Sequence, residues 1–263
     1  MKRIDLQPAY VLHTRPYRDT SALVDLLSLD YGLLRAVARG VRGKASRKRS
    51  AIQPFQPLLV SLSGRGELLS LNQAEHAAPG FRLHGDRLFS ALYLNELLMR
   101  LLQAQDAQPG IYRLYQQALI RLQQPGSLEV CLRCFEFSLL QELGYAWDLH
   151  VDAVDGAALQ MSGDYLFDPA HGYQALPSPI VERPQNLFSG AELVHFASLV
   201  SNTGEDEIDA GHAAKRLMRL ALQPHLGAKP LLSRTLFAAK PAPRQMPDTD
   251  ADGCILPPED NKG

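Results

Sequence analysis

The stretch AYVLHTRPYRDTSALVDLLSLDYGLLRAVARGVRG, residues 9–43, decides how the N-terminal part of the chain folds. Its apolar residues come in short runs closed by turn residues and lack a 3.6-residue period, which is the pattern of strands. Three strands are predicted here, Ala9–Thr14, Ala22–Ser28 and Leu33–Val41, with Tyr31-Gly32 as the turn before the third. Working outward, two more runs, Leu58–Ser63 and Leu68–Glu75, flank the turn Gly64-Arg65-Gly66. Five short strands in about 75 residues predict a small closed or partly closed barrel, because closure removes the edges an open sheet of this size exposes.

From Arg87 onward the spacing becomes helical, with Leu88, Leu92, Leu98 and Leu102 on one helix and Ile111, Leu114, Tyr115, Ala118 and Leu122 on the next. The change of period predicts a first domain over 1–80 and a helical domain over 81–237. A third helix is predicted from the N-cap Ser127 to Gly144, glycine being suited to the left-handed position past a helix end. Residues 147–188 are rich in Gly, Pro and Asp and are expected to form an irregular insert. Ser189 and Glu192 make a capping box, and a last helix is predicted from Asp209 to Gln223, stopped by Pro224. Five prolines (241, 243, 247, 257 and 258) and an acidic balance make 238–263 an expected disordered tail. No internal repeat is evident.

The 263 residues carry 27 basic and 28 acidic side chains, net -1, which as one number argues against a nucleic-acid or membrane binder. The distribution reverses that inference. Residues 1–80 hold 12 basic and 6 acidic groups, net +6, and the remainder holds 15 and 22, net -7. Arg35, Arg39, Arg42, Lys44, Arg47, Lys48 and Arg49 fall within fifteen positions that contain no acid. On a strand from Leu33, Arg35 and Arg39 share one face and Leu34, Ala36 and Ala38 point to the other. A basic strand leading into a basic loop can follow a phosphodiester backbone and release its condensed counterions. Tyr31 and Phe55 are the nearby aromatics that could stack on bases. A merely solvated loop is the alternative reading.

Other chemistries lack their parts. HExxH, GxSxG and the Walker-type phosphate loop are missing, and the eight histidines are scattered. Cys131 and Cys134 form one CxxC inside a helical pattern, which reads as two small core residues rather than a zinc site. The acidic runs Glu205, Asp206, Glu207, Asp209 and Asp148, Asp152, Asp155 are poor metal candidates. Arg113, Arg121 and Arg133 lie on consecutive helices, with Phe137 one turn beyond Arg133; arginines beside an apolar wall could receive a peptide with a carboxylate and an apolar side chain. Lys215, Arg216 and Arg219 could add a phosphate contact, or balance the C-terminal end of their helix. The start MKRIDLQPAY has no apolar region of a secretory signal, and Leu88–Leu102 is broken by Asn95, Glu96 and Arg100, so a cytoplasmic protein without a membrane span is expected.

Residues 9–43, then IQPFQPL (52–58), FEFSLLQELGY (135–145) and LGAKPLLSR (226–234), resemble in order and approximate spacing the bacterial RecO recombination mediator family. The resemblance implies an α+β multidomain chain, with an N-terminal five-stranded OB-fold barrel followed by an α-helical domain with an irregular insert, and no turnover of a small molecule. It further implies binding of single- and double-stranded DNA, annealing of complementary strands, and cooperation with RecR, and where present RecF, in helping RecA onto DNA coated with single-strand binding protein. The family binds the acidic, hydrophobic C-terminal tail of that protein on the helical domain, which directs attention to Arg113, Arg121, Arg133 and Phe137. Some members hold zinc through four cysteines after the LGY motif. Residues 147–175 contain no cysteine, so no bound zinc and no other cofactor are expected, and the insert is expected to be held by packing.

The expected function is thus a DNA repair and recombination mediator, cytoplasmic and associated with the nucleoid. An OB-type RNA-binding protein in translation or RNA processing is the alternative that the barrel and loop alone allow. A metal-dependent nuclease would need the motifs that are missing.

Overall fold

The structure, a computed structural model, describes residues 2–41, 51–176, 184–201 and 211–238. Its N-terminal part is a closed barrel of five strands, β1 (Lys2–Tyr17), β2 (Ser21–Ser28), β3 (Gly32–Ala38), β4 (Leu58–Gly64) and β5 (Leu68–His76), in the order β1-β2-β3-β5-β4. All neighbours are antiparallel except β3 and β5, which run parallel from Arg35 opposite Leu68 to Ala38 opposite Leu71. This is the OB-fold arrangement.

β1 is far longer than the predicted Ala9–Thr14, because it closes the barrel. Its first half pairs with β4, Lys2 opposite Gly64, and its second half with β2, Tyr17 opposite Ser21. Such a strand must bend, and the register shifts between Ile4 and Gln7 and again between Val11 and His13. At the first bend Leu6 takes a φ of 47°, unusual for leucine, and Ser61 Oγ accepts its N–H at 3.2 Å. β3 stops three residues short of the prediction, where Gly40 turns the chain with a φ of 70°.

The barrel interior is aliphatic, built from side chains such as Val11, Val24, Leu26, Leu34, Val60 and Leu62. β1 and β2 are apolar on both faces because their outer side chains Tyr10, Leu12 and Leu27 belong to a second core, shared with the helices. Those helices are α1 (Gly85–Leu101), α2 (Pro109–Gln123), α3 (Leu128–Glu142), α4 (Gly190–Ser201), α5 (Gly211–Leu226) and α6 (Ser233–Ala238). Asn95 of α1 ties the two parts together: its amide donates to Leu12 O at 2.9 Å and accepts from the Tyr115 hydroxyl at 2.6 Å.

Local signals place the helix ends. Ser127 Oγ caps α3 by accepting from Val130 N, and Gly144 follows it with a φ of 78°. Ser189 and Glu192 form the reciprocal capping box, Glu192 accepting from Ser189 N at 2.8 Å and donating its own N–H to Ser189 Oγ at 3.3 Å. Pro224 does not stop α5, which runs on to Leu226: a proline in the final turn withdraws one N–H without preventing the last residues from staying helical.

The insert corrects the expectation of irregular chain. It contains a three-stranded antiparallel sheet of order β7-β6-β8, from β6 (Asp164–Asp168), β7 (Gly172–Ala175) and β8 (Leu187–Ser189). Strands of five, four and three residues are too short for an alternating pattern to stand out among Gly and Asp. The sheet turns Phe167, Tyr173 and Phe188 onto a cluster with Trp147 and Phe137, ring centres 4.7 Å apart for Trp147–Phe167 and 5.4 Å for Phe137–Trp147. Phe137 in turn meets Phe196 of α4 at 5.8 Å, so aromatic packing fastens the insert to the helices.

Candidate functional site

Of the seven cations in the predicted nucleic-acid run, Arg35 and Arg39 are described; Arg42, Lys44, Arg47, Lys48 and Arg49 lie outside the described residues. Arg35 is exposed on β3, but its Nε donates to Asp25 at 2.7 Å, and Asp25 is 2% exposed, so part of its charge is already met. Leu34, Ala36 and Ala38 face the barrel interior as the strand pattern predicts. Arg39 stands exposed just beyond β3.

Because Ala22 pairs with Ala38 and Tyr17 with Ser21, the end of β3 and the β1–β2 hairpin share one end of the barrel. That places Arg15 and Arg18, both exposed, on the same end as Arg39. Charge counting over the run missed these two, although RPYR before a turn was a usable signal. A groove of about 500 Å³ opens between the hairpin, Arg15 and Thr14 among its walls, and Val41 and Ile52, which border the basic run. The aromatics are placed differently from the expectation. Phe55 is buried in the helical core with a φ of 63°, and Tyr31 sits at the other end of β3, roughly 20 Å along a seven-residue strand. Tyr17, with the Arg18 guanidinium 5.2 Å from its ring centre, is the aromatic at the basic end.

The four predicted partner-binding residues are not brought together. Arg133 is 8% exposed on α3 and lines a cleft of about 340 Å³ between α1, α3, α5 and α6. Arg121 lines a different groove, about 420 Å³, beside Cys134 and Ile120. Arg113 is exposed on α2 and lines neither, and Phe137 is a core residue of the aromatic cluster, 7% exposed, rather than a wall beside Arg133.

In the Arg133 cleft, Arg133 Nη2 donates to Glu136 Oε1 at 2.7 Å, and the Tyr93 hydroxyl donates to the same oxygen at 2.5 Å. Burial pushes the Glu136 carboxyl up, against the opposing pull of Arg133 and Tyr93. Burial also raises the Tyr93 hydroxyl, reinforced by the neighbouring Glu136. The rim carries a net cationic excess: Lys215 and Arg219, one turn apart on α5, and Arg234 of α6, 6.0 Å above the Tyr93 ring, against Asp86 and Glu129. Lys215 is 4.0 Å from Glu129 across the cleft. These α5 cations stand ahead of the last turn of the helix, so they do not balance its C-terminal end. Arg216 turns away, donating to Leu187 O at 2.9 Å and lying over the Phe188 ring at 4.3 Å.

Cys131 and Cys134 are buried, their thiols against Ala118 O and Leu199 O, as core packing requires. Asp148, Asp152 and Asp155 each accept a backbone N–H two residues on, which is turn chemistry. Among the described residues no group of three or more His, Cys, Asp or Glu could hold a metal ion, and the run 205–209 lies outside them. No helix among the described residues is long and apolar enough to cross a membrane.

Comparison with known proteins matches the two halves separately. The family described as Recombination protein O N terminal matches residues 1–79, and that described as Recombination protein O C terminal matches residues 82–235. A DNA repair protein RecO of Stutzerimonas stutzeri (strain A1501) is 46% identical over 239 residues, 90% of this chain and 96% of that protein. Those of Cellvibrio japonicus (strain Ueda107) and Pseudomonas entomophila (strain L48) are 43% and 47% identical, over 89% and 88% of this chain and 97% and 96% of theirs. A barrel and a helical part that each match their own RecO family, with relatives aligned along nearly their whole length, make this chain a member of the RecO family of DNA repair proteins.

Proposed function

We propose that the chain is a recombination mediator that binds single- and double-stranded DNA through the basic end of its barrel, anneals complementary strands, and helps load RecA onto DNA coated with single-strand binding protein. The observation that carries this reading is that the β1–β2 hairpin with the exposed Arg15 and Arg18, and the end of β3 with the exposed Arg39, share the end of the barrel that leads into the run 42–49. Annealing needs no fuel, because base pairing supplies the free energy and the protein has only to lower the repulsion between two phosphate backbones. The mediator therefore turns over no small molecule and works in the cytoplasm, on the nucleoid, with RecR and, where present, RecF.

The helical part docks the acidic C-terminal tail of single-strand binding protein in the Arg133 cleft. Supporting this are a buried guanidinium at its floor, Lys215, Arg219 and Arg234 at its rim, and apolar walls from Tyr93 and Leu132. Arg121, in the neighbouring groove, and Arg113 are secondary contacts in this scheme.

Two measurements test the proposal. Reversing Arg39, Arg42, Lys48 and Arg49 together should abolish annealing of oligonucleotides coated with binding protein and flatten the salt dependence of DNA affinity by roughly one unit of slope per lost phosphate contact. Unchanged affinity and slope would remove the barrel end from the interface. A preference for RNA over DNA of the same sequence would favour a role in RNA processing instead.

A further inference from the structure

We infer that the chain's own acidic C-terminal segment, Asp248 to Leu256, docks in the Arg133 cleft and competes there with an acidic partner tail. The inference rests on the cleft being a site for acidic tails. Its floor holds three buried polar atoms with no hydrogen-bond partner among the described residues: Ser90 Oγ, Arg133 Nε and Glu136 Oε2. Unpartnered buried polar atoms cost free energy unless a ligand satisfies them. Arginine Nε–H and the serine hydroxyl are donors, and the Glu136 carboxyl is already met at its other oxygen by Arg133 and Tyr93. Two unmet donors on the floor beneath a rim of net positive charge call for carboxylates.

The chain itself supplies them from the right place. Phe237, at the end of α6, forms part of the cleft wall, and the family match ends at residue 235. Beyond it the sequence runs through prolines 241, 243 and 247 to Asp248, Asp250 and Asp252, followed at once by Cys254, Ile255 and Leu256. Carboxylates followed by an apolar stretch match a cationic rim with apolar walls. Ten residues of spacer reach roughly 30 Å, ample to fold back across the cleft, and so short a tether holds the segment at an effective concentration in the millimolar range. A partner tail must displace it.

Cys254 reports on the docking without any partner, since Cys131 and Cys134 are buried. The experiment measures the rate at which a maleimide modifies Cys254 in the full chain at low salt. The variant K215E/R219E changes two exposed side chains, and it should raise that rate roughly fivefold if the segment is docked at millimolar effective concentration. Adding D248K/D250K/D252K to the same variant should restore protection. An unchanged rate in K215E/R219E overturns the inference. Titrating in a peptide copy of the single-strand binding protein tail separates the two ideas. Faster modification of Cys254 with added peptide supports competition at one site. If K215E/R219E speeds modification but the wild-type chain does not bind the peptide, the competition is overturned and so is the cleft's assignment to the partner. If peptide binding drops in K215E/R219E with no change at Cys254, the assignment stands and the docking of the chain's own segment is wrong.

Discussion

The barrel and the helical part treat charge in opposite ways. The barrel core is aliphatic, and the one deeply buried ion among the described barrel residues, Asp25, lies on the outer face and is met by Arg35, whose side chain is half in solvent. The helical part buries Arg133, Glu136, Tyr93 and Asn95 among its helices. The reason lies in the backbone. Strands of a closed barrel are held in register by their own hydrogen bonds, so the core has only to fill space. Helices spend their backbone hydrogen bonds internally, and only side chains decide which helix meets which. The barrel can therefore keep its arginines outside, where the proposed DNA contact needs them, whereas the helices use polar pairs as fasteners and leave some of those atoms facing a cleft.

The sharpest way to break this contrast is to remove one ion from each part. Arg133→Ala should cost about 3–5 kcal/mol in urea unfolding, because it strands the Glu136 carboxyl in the core. Arg35→Ala should cost about 1 kcal/mol, its pair being half exposed and His13 standing 3.7 Å from Asp25 as a second partner. Equal losses would refute the contrast. Next in size is Asn95→Ala, which orphans Leu12 O and the Tyr115 hydroxyl at the joint between the two parts; about 2 kcal/mol should be lost, read as a lower urea midpoint.

Glu96 provides a test by pH. Burial alone would raise its carboxyl, but the Ser233 hydroxyl and the N–H groups of Ser233 and Leu232 outweigh it, helped by Arg100, and hold it below the usual range. A depressed carboxyl stabilises fully above its unfolded pKa and loses that contribution as pH falls through the folded value. Wild type should exceed Glu96→Gln by about 1 kcal/mol near pH 6, and the gap should close toward pH 3. The smallest stability effect belongs to Arg39→Ala, within about 0.5 kcal/mol, while the salt slope of DNA binding should fall by about one unit.

Much of this was legible because the relevant physics is local. Period-two runs gave five strands, Ser127 and Gly144 gave the limits of α3, and Ser189 with Glu192 gave the start of α4. What escaped depends on contacts far apart in sequence. The length of β1 follows from its pairing with β4, some fifty residues away, and a three-residue strand such as β8 exists only against β6. Phe137 looked like a partner for Arg133 because four residues separate them. Only Trp147 and Phe196 show that it faces the core. Arg15, Arg18 and Arg234 were visible as charges, but the elements that aim them were not.

The outer face of β1 and β2 gives the molecule a ruler. Since Tyr10, Leu12 and Leu27 are sealed into the helical core, and Gly32 leaves no room for a side chain against the Asp106 carbonyl, the barrel does not hang from the helices as a bead on a string. The span from the basic groove to the Arg133 cleft is then a constant of the fold. On the proposed assignment of the two sites, a strand gripped at one end and a protein tail captured at the other would be held at a set separation, so recruitment would depend on how far along the DNA a tail can reach and not on affinity alone.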